Sequence, residues 1–371
     1  MNLIMTIQTF LLEKIRAQQA LSFAEFMQYA LYAPSGGYYT EGLAQFGQDF
    51  TTAPEISPLF AACLANQCAE VFTHVSQPTI LEFGAGSGRL CIDLLQRLES
   101  LGCLPEIYYI LEVSGQLQAQ QLHTISQEIP HLLSRIHWLT TWPSQPFQGV
   151  ILANEVLDAM PIHRFLQTEE DLYEIYVAAT PDNQFCEVLQ RCQNARLRDY
   201  VQTVLPAGLY PYQSEVNLLL PDWLQHCADA LACGMMLVID YGFPRAEYYH
   251  PDRYQGTLMC HHRHRTHPDP LIQVGEQDIT AHVDFTHVAE SALQAGFGVA
   301  GFTSQAAFLL GNGLLDLVKD PDPRTLFHQQ NAVKMLTHPN EMGELFKVMA
   351  LTKAWDAPLS GFQVQDRRAS L

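Results

Sequence analysis

Three glycines at alternate positions, Gly84, Gly86 and Gly88, follow a short apolar run that contains the acid Glu82. Leucines at helical spacing come next, so the stretch ILEFGAGSGRL predicts a strand, a tight turn and a helix. Glycine has no Cβ and accepts positive φ, which lets a backbone turn approach a bound molecule closely. We therefore predict that this turn, including Ala85, binds a ligand, with a plain structural turn as the alternative.

The spacing of these glycines disfavours a dinucleotide. The dinucleotide fingerprint reads GxGxxG, and its third glycine packs the helix onto the strand. Here that position is Arg89, and the glycines read GxGxG. Glu82, two residues before the first glycine, also suits a cationic ligand better than a pyrophosphate. S-adenosylmethionine meets this description, because its amino and sulfonium groups are positive and it carries no phosphate.

Two further predicted strands end in polar residues that could meet the same ligand. Ligands of an open parallel sheet bind at the carboxyl ends of its strands. Glu112 ends the run IYYILE and could accept hydrogen bonds from both ribose hydroxyls; an exposed strand-end glutamate is the alternative. The run GVILAN leads into NEVLDAMP, where Asn154, Glu155 and Asp158 could orient a cationic nucleophile. A helix cap at Asn154 or Glu155 is the alternative there.

A long loop rich in glycine, aromatics and proline ends in GQDFTTAPEIS, with Asp49, Thr51, Thr52 and Glu55. Loops of this length inside a compact domain are uncommon unless they bind something. The loop could therefore act as a lid that contacts the cofactor. Pro54 and Glu55 also fit the first turn of a helix, which is the structural alternative.

Histidines and arginines are concentrated in residues 260–267, which read CHHRHRTH. A zinc site would need ligands at regular spacing with supporting carboxylates, so we predict a loop and no metal site. The segment GEQDITAHVDF follows, and it contains Asp278, His282 and Asp284. It predicts either the cap of a helix or the far wall of a substrate pocket, with His282 and Asp284 as substrate contacts.

Composition limits the classes of function. The chain has 371 residues, 48% of them hydrophobic, and a formal charge of −19. This acid excess disfavours nucleic acid as a partner, because its phosphates would be repelled. No apolar run approaches the roughly 20 residues of a membrane-spanning helix. Nine scattered cysteines without a CxxC pair are typical of reduced thiols. We expect a bacterial cytoplasmic protein rather than one of the mitochondrial matrix, and a homodimer stays open.

Apolar strands that alternate with helical patterns predict an α/β fold, in which helices cover both faces of a mostly parallel, twisted sheet. The N-terminal segments read as helices, and DLYEIYVAA with QFCEVLQ reads as a hairpin inserted after the fourth strand. We divide the chain into five segments: a helical cap with the lid loop (1–75), the first half of the core (76–165), an inserted β-containing lobe (166–230), the second half of the core with an inserted loop at 243–280 (231–305), and a C-terminal helical tail (306–371).

Seven motifs together resemble the MidA family of S-adenosylmethionine-dependent methyltransferases, which occurs in bacteria and mitochondria: FTTAPEIS, ILEFGAGSGRL, YYILEVSGQLQAQQ, NEVLDAMP, IDYGFP, RHRTHPDPLIQVGEQDITAHVDF and TSQAAFLL. The resemblance runs from about Phe26 to Leu314. It implies a class I, Rossmann-like methyltransferase core with extra lobes. The mitochondrial member of the family is a complex I assembly factor that dimethylates an arginine of a complex I subunit symmetrically.

The resemblance also implies roles for individual residues. The glycine loop and Glu112 would hold the cofactor, and Asn154 and Glu155 would lie beside the reacting centre. Thr52, Pro54, Glu55 and the TAHVDF segment would complete the cleft, as the resemblance implies. The chain departs from the family at Gly115, where proline is usual, and around residues 260–262.

Together with the residues at the strand ends, the resemblance implies a protein arginine N-methyltransferase that acts on an accessible arginine of a protein partner, such as a respiratory complex subunit. Arginine is always protonated, so Glu155, or else Asp158, would orient the guanidinium and offset its charge during methyl transfer. A small-molecule methyltransferase with a closed apolar pocket is one alternative. A cofactor-binding assembly chaperone with little turnover is another.

Overall fold

The computed structural model describes residues 6–40 and 52–371. In chain order, its strands are β1 (Leu21–Ser22), β2 (Pro78–Phe83), β3 (Ile107–Leu111), β4 (Ile136–Leu139), β5 (Phe147–Asn154), β6 (His163–Gln167), β7 (Leu172–Ala179), β8 (Phe185–Arg191), β9 (Tyr212–Val216), β10 (Leu231–Phe243), β11 (Met259–His262), β12 (Arg265–His267), β13 (Asp278–Thr280), β14 (Val283–Asp284), β15 (Gly298–Ser304) and β16 (Phe346–Lys353).

The α-helices, in the same order, are α1 (Ile7–Gln18), α2 (Phe23–Tyr32), α3 (Ala53–Ile56), α4 (Pro58–Phe72), α5 (Arg89–Ser100), α6 (Gly115–Glu128), α7 (Ala195–Val204), α8 (Leu220–Ala230), α9 (Arg245–Tyr248), α10 (Phe285–Gln294), α11 (Gln305–Gly311), α12 (Leu314–Leu317), α13 (Pro323–Thr337) and α14 (Met342–Leu345). Among the described residues, none of these helices is long and apolar enough to cross a bilayer.

Two compact units are each assembled from separate stretches of the chain. The core unit comprises the described residues of Thr51–Leu157, Pro221–Gly242 and Phe285–Leu371. The insert unit comprises those of Met1–Phe50, Asp158–Leu220 and Phe243–Asp284. The five consecutive segments drawn from the sequence stay a prediction, and they differ in kind from these units because each unit joins stretches that are far apart in the chain.

The core unit is built on a sheet with the strand order β15-β16-β10-β5-β2-β3-β4. The pairs β10–β5, β5–β2, β2–β3 and β3–β4 are parallel, and β16 is antiparallel to both of its neighbours. The central strands are buried nearly throughout, as expected for a sheet covered on both faces. The predicted α/β class and mostly parallel sheet are confirmed.

The register of this sheet aligns three strand ends. Phe83, the last residue of β2, pairs with Leu111 on one side and with Ala153 on the other. One residue further along this register, Gly84 after β2 and Glu112 after β3 lie beside Asn154, the last residue of β5. The carboxyl ends of three adjacent parallel strands meet at one edge.

Strand β16 was not predicted from the sequence. The tail 306–371 was predicted to be helical, and this is wrong for Phe346–Lys353. The segment FKVMALTK is buried up to its last residue and pairs with β10 and β15. A short apolar run fits a buried strand and a buried helix equally well by periodicity, so only the gap between two other strands decides its conformation.

The insert unit contains two small sheets. One has the order β1-β7-β6-β9, with β8 on β7; the β7–β8 hairpin was predicted and is confirmed. The other has the order β12-β11-β13. Helices α1 and α2 contribute to a hydrophobic cluster in this unit, and α2 begins with a capping box between Ser22 and Glu25.

Candidate functional site

The glycine loop leaves β2 with a left-handed backbone at each glycine. The φ angles of Gly84, Gly86 and Gly88 are 58°, 53° and 86°, which explains the choice of glycine because a Cβ is strained there. A Cβ built at Gly84 would meet nothing within 4 Å. The backbone at Gly84 is therefore open on the side from which a ligand could approach.

Two other residues of the loop serve its own packing. A Cβ at Gly88 would lie 3.5–3.6 Å from side-chain atoms of Ile125 and Gln121, so this glycine brings the start of α5 close to α6. The side chain of Ala85 is buried in the core cluster, and its carbonyl accepts the N–H of Gly88 at 2.8 Å. Any contact of Ala85 with a ligand would therefore come from its backbone.

Glu82 is the penultimate residue of β2, just before the glycine loop, and is only 3% exposed. The Tyr108 hydroxyl donates a hydrogen bond of 2.8 Å to its carboxylate. Burial raises the pKa of the Glu82 carboxyl to about 7, against the effect of the Tyr108 hydrogen bond, and Glu112 adds to the rise. A cation placed beside Glu82 would stabilise its charged form.

Glu112, at the end of β3, is buried and already oriented by the protein. Its two carboxylate oxygens accept hydrogen bonds from the Ser114 N–H at 2.9 Å and from the Gln121 amide at 3.2 Å. Burial raises the pKa of Glu112, and these hydrogen bonds oppose the rise. A carboxylate has about four acceptor positions, so the two donors leave capacity for a pair of ligand hydroxyls.

Gln121 is a site residue that the sequence analysis missed. It is fully buried on α6, and its amide nitrogen donates to the Gly86 carbonyl at 2.9 Å and to Glu112. Its amide oxygen accepts the indole N–H of Trp138 at 2.9 Å. One side chain thus ties the glycine loop to the Glu112 carboxylate. A glutamine on the buried face of a predicted helix was the only indication in the sequence.

The segment Thr52–Glu55 also reaches the glycine loop. Ser87 of the loop donates a short hydrogen bond to the Glu55 carboxylate. Pro54 lies in the first turn of α3, and Thr52 occupies its N-cap position without a side-chain capping hydrogen bond. The predicted helix start and the predicted proximity to the cofactor loop are therefore compatible. Asp49 and Thr51 lie outside the described residues.

Asn154 and Glu155 stand where β5 ends. Glu155 has a φ of 52°, an uncommon value for a residue with a side chain, and its N–H donates to the Ile239 carbonyl at 2.9 Å. The amide of Asn154 donates to the Glu155 carboxylate at 3.2 Å. No helix begins at either residue in the described chain, so the helix-cap alternative is wrong.

Asp240, three residues before the end of β10, holds this loop in place and was also missed. It is fully buried, and its two carboxylate oxygens accept the backbone N–H groups of Leu157 and Tyr241 at 3.0 and 2.9 Å. Its position in the IDYGFP motif, as the acid at the end of the predicted strand Met235–Asp240, could have revealed it. The unusual backbone of Glu155 is thus supported by hydrogen bonds from the neighbouring strand.

The remaining predicted residues belong to the insert unit. The carbonyl of Asp158 accepts the Ala281 N–H at 3.0 Å, and its side chain is buried. The ring of His282 stacks on Phe243 with centroids 5.3 Å apart. Asp284 accepts hydrogen bonds from the Tyr200 hydroxyl at 3.0 Å and from the Arg245 guanidinium at 3.3 Å.

Tyr39 lies in the same unit, and no role was predicted for it from the sequence. The Tyr39 hydroxyl donates to Asp278 at 2.8 Å, and its ring stacks against Tyr32. Burial raises the pKa of Tyr39, and Asp278 adds to the rise. Within the described part of the chain, no group of three or more potential metal ligands is assembled.

Comparisons with known proteins agree on one kind of relative. A family profile for S-adenosyl-L-methionine-dependent methyltransferases matches residues 63–303. A crystallised protein from Burkholderia thailandensis, described as a likely methyl transferase and bound to S-adenosyl-homocysteine, is 38% identical. Its TM-score is 0.93, over 98% of this chain and 96% of that one. The mitochondrial protein arginine methyltransferase NDUFAF7 is 27% identical in Rattus norvegicus, over 92% of this chain and 83% of the relative. The Danio rerio protein is 28% identical, over 92% and 85%.

Proposed function

Because the chain belongs to the S-adenosyl-L-methionine-dependent methyltransferases, we propose that it transfers the methyl group to an arginine of a protein partner. The predicted family resemblance, methyltransferase fold and cofactor are confirmed by the same matches. The choice of arginine is supported by the curated relatives, which are protein arginine methyltransferases and align over 92% of this chain.

The proposed cofactor contacts lie at the carboxyl ends of β2 and β3. Gly84 offers open backbone, Glu82 offers negative charge for the amino and sulfonium groups, and Glu112 offers acceptors for the ribose hydroxyls. These groups fit S-adenosylmethionine, which bears positive charge at one end and a diol on its ribose. Glu55 acts through Ser87 by fixing the loop.

The observation that carries the arginine proposal is the carboxylate of Glu155 at the end of β5. Its strained backbone is held by Ile239, and Asn154 orients its side chain. Strained backbone that the surrounding structure maintains is characteristic of functional positions. A fixed carboxylate can bind the planar guanidinium through two parallel hydrogen bonds and so present one nitrogen for reaction.

When bound, S-adenosylmethionine supplies an electrophilic methyl group. Glu155 aligns the guanidinium nitrogen with that group, which makes positioning the main source of acceleration. While the new nitrogen–carbon bond forms, the carbon–sulfur bond breaks, and the electron pair of the broken bond stays on sulfur. The nitrogen loses one proton, and the Glu155 carboxylate offsets the positive charge that grows on the guanidinium until the proton leaves for solvent.

Replacing Glu155 by glutamine keeps the shape of the side chain and removes its charge. We expect Glu155→Gln to lower kcat by about 100-fold or more, the size of effect seen when a group that stabilises transition-state charge is lost. The dissociation constant for S-adenosylhomocysteine, measured by calorimetry, should change less than about twofold. The exposed Glu99→Gln on α5 serves as a matched control and should keep both values.

The acceptor can be found by adding the protein and methyl-labelled S-adenosylmethionine to an extract of cells that lack the gene. We expect label in protein, and methylarginine in the labelled peptide by mass spectrometry. Label confined to small metabolites would contradict the proposal and favour a small-molecule methyltransferase. An absence of label together with normal cofactor binding would favour an assembly chaperone.

A further inference from the structure

Strands β11 and β12 form a hairpin, Met259–His267, that carries cations without any acid. It contains Arg263 and Arg265 together with four histidines, and none of its residues is aspartate or glutamate. The chain as a whole has 39 acidic residues against 20 lysines and arginines. This basic hairpin is therefore a local exception to the charge of the molecule.

Both arginines and one histidine of the basic hairpin are exposed to solvent. The four residues from Arg263 to Thr266 are exposed. Among the described residues, the strand β12 pairs only with β11, in a sheet of the order β12-β11-β13, so it is an edge strand. An edge strand has backbone hydrogen-bonding groups on its outer side that an extended peptide can use.

The tip of the basic hairpin has an unfavourable backbone conformation. His262 pairs with Arg265, which leaves a two-residue loop, and both loop residues have positive φ: 50° for Arg263 and 59° for His264. Such turns strongly prefer Asn-Gly, because residues with larger side chains are strained there. The chain thus has an arginine and a histidine at two positions where asparagine and glycine would form the same turn with less strain.

Protection of the edge against aggregation is the simplest alternative explanation. Natural edge strands often carry charges for this purpose, and Arg265 on β12 would meet that need alone. It does not explain why the tip itself holds Arg263 and His264 in strained conformations. Strain that persists at an exposed position points to a function for the side chains there.

We propose that the basic hairpin binds an acidic, extended segment of the methyl-accepting protein. Guanidinium groups bind carboxylates with two parallel hydrogen bonds, and the edge of β12 can pair with the backbone of the segment. Nucleic acid fits less well, since the hairpin has only two permanent cations while the whole chain repels polyphosphate. The inference rests on the proposed function only in identifying the partner as the methyl acceptor.

Binding of a fluorescent oligo-glutamate peptide to the full-length protein tests this inference without any methylation assay. The double variant Arg263→Asn and Arg265→Ser should raise the dissociation constant of the peptide about tenfold, as expected for the loss of two surface ion pairs. The control double variant Arg324→Asn and Lys334→Ser changes the net charge equally on the exposed surface of α13 and should leave binding unchanged. High salt should remove the difference between the two variants.

A second variant separates binding from folding. Replacing the tip with Asn-Gly, by Arg263→Asn and His264→Gly, removes the strain, so the melting temperature should rise while peptide binding falls. Equal binding by the hairpin and control variants would overturn the proposal, as would failure of the wild-type protein to bind the peptide. Hairpin-dependent binding of a DNA oligonucleotide that exceeds peptide binding would replace it with a nucleic-acid site.

If the peptide binds as expected but cell extracts show no methylated protein, the proposed function fails while the binding site stands. If methylarginine is found but the hairpin variants methylate the acceptor with unchanged KM, the site is overturned and the proposed function stands. Cofactor binding should be identical in all of these variants, because none of the substituted residues belongs to the glycine loop or its hydrogen-bonding partners.

Discussion

Gly84 and Gly102 share the same local geometry and differ in their place in the fold. Both have positive φ, 58° and 71°, and a Cβ at either one would meet nothing within 4 Å. Gly84 begins the loop at the carboxyl end of β2, whereas Gly102 follows the end of α5. The pair therefore separates the cost of backbone strain from the cost of obstructing a ligand.

We predict that Gly84→Ala and Gly102→Ala each lower the free energy of unfolding by about 1–2 kcal/mol, the cost of a Cβ in the left-handed region. Only Gly84→Ala should also weaken S-adenosylhomocysteine binding, because its methyl group would occupy the space needed by the ligand. Denaturant unfolding and calorimetry measure the two quantities. Equal loss of ligand affinity in both variants would show that the ligand does not approach Gly84.

Helix α6 connects three parts of the proposed cofactor site through one side chain. Gln121 reaches the carbonyl of Gly86, the carboxylate of Glu112 and the indole of Trp138 on β4. Glu112 and the glycine loop are separated by about a whole β–α unit of sequence, so their relative position depends on the packing of α6. This makes Gln121 a positioning residue rather than a ligand contact.

We predict that Gln121→Met, which keeps the length of the side chain and removes its hydrogen bonds, weakens S-adenosylhomocysteine binding about tenfold and costs about 1–3 kcal/mol of stability. The exposed Gln120→Met on the same helix is the matched control and should do neither. A purely structural role would make its effects add to those of Glu112→Gln. If Gln121 acts through Glu112, the loss of affinity in the double variant is smaller than the sum.

The elements that the sequence predicts well are those whose own residues determine them. The strands β2, β3, β5 and β10 are apolar runs followed by glycine or an acid, and the side chains at their ends follow from the rule for parallel sheets. The conformation of β16 depends on the two strands beside it. Gln121 and Asp240 bind groups that are distant in sequence, the Gly86 carbonyl and the Leu157 N–H, so periodicity and spacing do not show these partners.

The core unit of the molecule is assembled from three separate stretches of the chain. Two of its three stretches supply helix α3 with Thr52 and Glu55, strand β3 before Glu112, strand β5 that ends at Asn154, and the strand that carries Asp240. The ends of β2, β3 and β5 were predicted to meet, and the shared register of these strands explains why. The division into core and insert units was not predictable, because it requires knowing which distant stretches pack together.

Glu82 links the stability of the molecule to pH. Burial raises the pKa of this carboxyl to about 7 from an ordinary value of 4.5. Between these two values the folded protein holds a proton that the unfolded chain has lost, so stability falls as the pH rises through this range. The contribution is fully present below pH 4.5 and is lost once the pH exceeds about 7.

We predict that Glu82→Gln, which cannot ionise, becomes more stable than the wild type by about 3 kcal/mol as the pH is raised from 4.5 to 8, relative to their difference at pH 4.5. Denaturant unfolding of both proteins across this range measures the difference and cancels the titration of other groups. Saturating S-adenosylmethionine should shrink it, since the cationic ligand stabilises the charged form of Glu82. A difference that does not change with pH would mean that the Glu82 carboxyl has the same pKa in the folded and the unfolded protein. A difference that the ligand leaves unchanged would place the sulfonium away from Glu82.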